Sequence, residues 1–171
     1  MLNANSLAAD MKNAVNNKTD ASLALQSLSS AISDYVKTNA QIMFNWVAVS
    51  PTGVPDPVTV ASGRFSVFPV TLTPSGTSDY QASQQQFASQ CNSGFSLSVY
   101  NITDAGFSTA PAIAGTSIPL VLSIPETADF DTAINTLASN IVDWIKQQIL
   151  SVPVSGSHGV YVGAGLATSI V

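Results

Sequence analysis

The sequence predicts an α+β fold, with helices packed on one face of a mostly antiparallel β-sheet and a helix-then-strand unit near each terminus. Three observations predict it. The segment LQSLSSAISDYVK at 25–37 recurs as INTLASNIVDWIK at 134–146, with Leu28/Leu137, Ser30/Ser139, Ile32/Ile141, Asp34/Asp143 and Lys37/Lys146 identical. Each copy runs into an apolar stretch, Ile42–Val49 and Ile149–Val154, and then into Pro/Gly/Ser turn material. Between the copies the apolar period shifts from helical to two, the signature of half-buried strands.

Each element follows from local pattern. Residues 5–16 (NSLAADMKNAVN) read as a short helix, with Leu7, Met11 and Val15 on one face behind Asn5 or Ser6 as N-cap. Asn16-Asn17 ends it, and Thr19 or Asp20 caps a second helix running to about Thr38. Its residues Leu25, Leu28, Ile32 and Tyr35 repeat at 3, 4, 3, the spacing of one buried stripe. Ile42–Val49 reads as the following strand. Phe65 and Val67, then Val70 and Leu72, alternate with polar residues, as do Phe95, Leu97 and Val99; Val58–Ala61 and Ser117–Ser123 read as further strands. Residues 79–92 (DYQASQQQFASQCN) fit either a third helix or an exposed loop. Pro125 with Thr127 or Asp129 opens the C-terminal helix, whose stripe is Phe130, Ile134, Leu137, Ile141 and Trp144, widened by Ile145. GVYVGAGLATSIV reads as one or two final strands.

The expected organisation is a single domain over 1–171: N-terminal helices in 1–40, a β-rich section in 41–125, a long helix in 126–150 and terminal strands in 151–171. Leu28, Ile32, Tyr35, Trp46, Leu137, Ile141 and Trp144 are the candidate core or interface residues. Either tryptophan is a core anchor or an interface side chain.

Composition narrows the function classes. Apolar residues make up 46% of the chain and charged residues only 9%, with Glu126 the sole glutamate. An average domain is roughly 25% charged. A surface this poor in charge has little to resist association, and interface cores are themselves depleted in charge. Much of the surface is therefore expected to be covered by other chains. The net charge is −5. Lys12, Lys18, Lys37, Arg64 and Lys146 form no basic stripe, so no nucleic-acid partner is expected. The N-terminal MLNANSLAADMK has no basic region followed by an apolar core, so a signal peptide is not expected. No apolar run approaches the ~18–20 residues of a membrane span, and no membrane partner is expected.

No catalytic motif emerges. His158, in Ser155-Gly156-Ser157-His158-Gly159, has Ser157 beside it, but neighbours on a turn rarely face each other; a solvated loop histidine is the expectation. Cys91 has no basic neighbour to activate it and reads as a small buried side chain. Val160-Tyr161-Val162-Gly163-Ala164-Gly165 resembles the start of a dinucleotide-binding turn, but the third glycine position is Thr168 and no receiving helix follows. One histidine and one cysteine exclude the usual zinc sites, and Asp104, Asp129 and Asp131 lack calcium-loop spacing. No cofactor or metal is expected. Asp34 and Asp143 each precede a lysine by three residues and read as surface ion pairs.

A short first helix, a second helix ending in AISDYVKTNA, an immediate strand and a Gly/Ser/Thr-rich β-section are together similar to small virion structural proteins of contractile-tailed bacteriophages. Ala31, Ile32, Asp34, Tyr35 and Val36 carry the motif, and the likeness is firmest over residues 1–45. The resemblance implies a non-enzymatic subunit of the neck, tail, baseplate or capsid surface. It implies many copies, other virion proteins as partners, a homo-oligomeric state, and assembly through exposed strands and termini. The protein would be made in the host cytoplasm and reside in the virion. The alternative is a secreted or surface binding module with a carbohydrate or protein ligand, which calls for an aromatic shelf.

Overall fold

The computed structural model describes residues 1–109, 112–114, 118–148 and 153–171. Among these, four helices cover one face of a curled, seven-stranded antiparallel sheet. The helices are α1 (Ala4–Val15), α2 (Ala21–Asn39), α3 (Tyr80–Ser96) and α4 (Phe130–Gln147). The strands are β1 (Ile42–Val49), β2 (Val60–Val67), β3 (Val99–Ile102), β4 (Phe107–Thr109), β5 (Ala112–Ile113), β6 (Pro153–His158) and β7 (Tyr161–Ile170), in the order β4-β6-β7-β1-β2-β3-β5. The α+β reading holds. β1 and β6, the strands that follow the two copies of the repeat, flank β7 on either side and both pair with it antiparallel.

The helices begin where side-chain oxygens satisfy their free N–H groups. Asp20 accepts from Leu23 N, Asp79 from Ala82 N and Asp129 from Thr132 N. For α1 the cap is Asn3, which accepts from Asn5 N and Ser6 N, and not Asn5 or Ser6 themselves. A β-region Asn3 places its carboxamide over the first turn, which residues already inside the helix cannot do. Both ends of the chain are tied into the fold. The Tyr35 hydroxyl accepts from Asn3 N and donates to Asn3 O, both at 2.7 Å. Val171 and Gln41 exchange backbone hydrogen bonds of 2.8 and 2.9 Å.

The core lies between the helices and the inner face of the sheet. Phe44, Trp46, Phe65 and Tyr100 point inward from the strands to meet Ile32, Val36, Ile141 and Ile145. Phe130, expected in the α4 stripe, is 58% exposed, because the helix begins there and its first turn overhangs the core.

The section expected to be β-rich contains a helix and two extended straps. Residues 80–96 are α3, so Phe95 is helical and Leu97 is an exposed C-cap; only Val99 of that alternation is in a strand. Val70 and Leu72 are buried, yet residues 68–74 pair with no strand. Val70 N and Leu72 N donate instead to Ser33 Oγ and Ser29 Oγ of α2, and Thr73 N to Gln90 Oε1 of α3. Gly94 lets α3 approach this strap: a Cβ there would sit 2.3 Å from Pro69 O. Residues 118–124 behave alike. Ile118 N, Leu120 N, Ser123 N and Ile124 N donate to the side-chain amides of Gln148, Asn92, Asn140 and Gln84. Ile118 O accepts from the Trp144 indole at 2.8 Å. Ser117 and residues 149–152 of the second apolar stretch lie outside the described residues.

Candidate functional site

All seven candidate core or interface residues are buried within the chain itself. Leu28, Ile32 and Tyr35 line α2, and Leu137, Ile141 and Trp144 line α4, so the two copies of the repeat supply two stripes of one core. Trp144 meets Phe95 edge-on at 5.2 Å. Trp46, in β1, meets Phe107 edge-on at 5.1 Å and points its indole at Asp56.

The Asp56 carboxylate is a buried polar centre that sequence reasoning missed. It lies in the β1–β2 loop with a side chain 0% exposed, and its backbone N–H donates to Ala48 O at 2.9 Å. Trp46 Nε1 (3.0 Å) and Val58 N (2.9 Å) donate to it, and His158 Nδ1 lies 3.0 Å away. Burial pushes the carboxyl pKa up, but the Val58 N–H, the His158 and Trp46 hydrogen bonds and the electrostatic interaction with His158 outweigh it and hold the pKa below its ordinary value. His158 is therefore not a solvated loop histidine. It ends β6, stacks on Phe107 at 4.4 Å with 5° between the planes, and keeps only 28% of its side chain exposed.

This arrangement fixes the imidazole but, among the described residues, brings it no nucleophile. Ser157 points to the opposite face of β6, where its hydroxyl meets Ser108 Oγ at 2.9 Å. Cys91 is buried in the core, and burial pushes its thiol up to about 12. The dinucleotide-like glycines belong to β7, where a Cβ on Gly163 would lie 2.1 Å from Val47 O. The candidate carboxylates have structural partners. Asp129 caps α4, and its bonds to Thr132 hold its pKa low; Asp131 pairs with Lys12 at 2.8 Å; Asp104 accepts from Ser62 N and Oγ. Asp34 pairs with Lys37 at 2.7 Å. No group of three or more His, Cys, Asp or Glu able to hold a metal occurs among the described residues. No helix among them is long and apolar enough to cross a membrane.

Two surface features remain. A cleft of about 560 Å³ runs between α3 and the 118–124 strap, lined by Gln81, Gln85, Ser89, Asn92 and Val121 among others, with no aromatic ring in its wall. The second is the outer face of the sheet, where Val47 and Val49 of β1 adjoin Val162, Ala164 and Leu166 of β7. Val47 is 78% and Val162 65% exposed. Arg64 is the only charged residue at an outward position of β6, β7, β1 or β2, and its guanidinium donates to Thr38 O at the end of α2. The signal for this face was in the sequence: apart from Asn45, the Ile42–Val49 run is apolar on both sides of the strand. Comparison with family models, with curated proteins and with solved structures finds no match to this chain.

Proposed function

We propose that the chain is a non-enzymatic structural subunit of a tailed-bacteriophage virion, joined to other virion proteins in the neck, tail, baseplate or capsid surface. One observation carries the reading: a charge-poor, valine-rich sheet face stands open on a molecule with very few surface charges. Exposed apolar patches of this kind mark interaction sites. The AISDYV motif at residues 31–36 supplies the link to phage particles, and Ile32, Tyr35 and Val36 of that motif are spent on the core. Because Asn3 and Val171 are bonded within their own chain, contact in this reading runs through the sheet face and not through released termini. Quantitative mass spectrometry of purified particles from the phage that encodes the chain tests it. A fixed number of copies per particle is expected; particles lacking the chain would overturn the reading.

The α3 cleft favours a second reading, a binding module for a neutral polyhydroxyl ligand, since amides and hydroxyls line it without charge. Its wall has no ring on which a sugar could stack. Chemical-shift changes at Gln85 and Ser89 on titration with oligosaccharides would promote this alternative.

A further inference from the structure

We infer that the open sheet face is a self-association surface whose occupant is a second copy of this chain, packed sheet against sheet. The inference rests on the reading of that face as an assembly surface and names its partner.

Strand composition gives the first argument. A sheet with one wet face alternates apolar and polar residues, whereas strands covered on both faces read as continuous apolar runs. β1 has Phe44, Trp46 and Ala48 inward and Val47 and Val49 outward. β7 adds Val162, Ala164 and Leu166 to the outer face, in register with Val49, Val47 and Asn45. The central pair is thus built like a strand pair with two covers, and the chain supplies one.

Charge decides between occupants. The molecule carries a net −5, yet its outward positions on β6, β7, β1 and β2 bear no carboxylate. Asp10, Asp34, Asp131 and Asp143 belong to the helices of the opposite layer. Asp104, whose oxygens accept from Ser62 N and Oγ at the β2 side, is the carboxylate that meets this face, so among the described residues a basic partner finds a single counter-charge there. Two copies meeting here place their acidic layers on opposite outsides, separated by both sheets at ~10 Å spacing and both helix layers, beyond the ~8 Å Debye length at physiological salt. Valine and leucine side chains on each copy meet their own kind.

Area gives the third argument. Four central strands at ~4.8 Å spacing, with about eight residues each at ~3.3 Å, offer on the order of 500 Å² of flat face before the short flanking strands are added. The short flanking strands add nine residues and bring the face to about 650 Å², at the low end of the ~600–1,000 Å² per partner of specific stable interfaces.

The test is sedimentation velocity of the full chain from low micromolar to near-millimolar concentration, with Val47→Lys, Val162→Lys and, on exposed α3, Gln85→Lys. Val47 and Val162 are exposed enough that thermal melts of their variants should match the parent. The parent should dimerise, both valine variants should raise the dissociation constant at least about tenfold, and Gln85→Lys should leave it unchanged. A dimer untouched by the valine variants, or broken by Gln85→Lys, overturns the inference. A parent that is monomeric throughout also overturns it. If that monomer is nonetheless present in purified particles, the assembly reading stands with a different subunit on the face.

Discussion

Asp56 sits between Pro55 and Pro57 in a loop, yet it joins β1 through Trp46 to β6 through His158. Its carboxyl pKa is lowered on folding, so its contribution to stability is fully present above the ordinary value of 3.8 and is lost as pH falls through the lower folded value. Asp56→Asn should therefore lower Tm at neutral pH, and the gap from the parent should close as pH falls below about 4. A gap that stays constant with pH would show that the charge is not used. Tyr100 presents the opposite case. Its hydroxyl is buried and has no hydrogen-bond partner among the described residues, and burial pushes its pKa up to about 12. An unpaired buried polar group costs ~1–3 kcal/mol, so Tyr100→Phe should raise stability, by up to about 1 kcal/mol after loss of contacts, in urea titration. A loss of that size would instead mean that the hydroxyl is satisfied.

The repeated helices make the prediction that belongs to elements. Ile32 and Ile141 occupy the same place in the two copies and are both fully buried. Truncating either to alanine should cost roughly 2–5 kcal/mol by chemical denaturation, and a loss below about 1 kcal/mol would remove that copy from the core. These helices were legible because their apolar spacing and acidic caps are local signals. The α3 stripe was fainter: Ala88, Cys91 and Phe95 keep helical spacing, but two of the three are small, and Phe95-Leu97-Val99 imitates a strand across the helix end. Val70 and Leu72 alternate with polar residues as strand residues do, since alternation reports which side is buried and says nothing of what satisfies the backbone. The Asp56–His158 contact spans 102 residues and left no local trace.

For the whole molecule, the contrast between a charge-poor sheet face and an acidic helical layer fixes how association responds to salt. No ion pair lies across the proposed contact, while net repulsion between two copies of charge −5 is screened as ionic strength rises. Sodium chloride should therefore tighten self-association, measured as a falling dissociation constant in sedimentation equilibrium. Weakening with salt would point to ion pairs and hence to a different surface. The 68–74 and 118–124 straps bear on the molecule at this scale too. A strand in a ladder is held by groups that every residue carries, so substitution seldom changes where it lies. These straps are held by Ser29, Ser33, Gln84, Asn92, Asn140 and Gln148, and their position is therefore heritable one side chain at a time. Related chains can re-route these two segments, and with them the surface over α2, α3 and α4, while the sheet beneath stays the same.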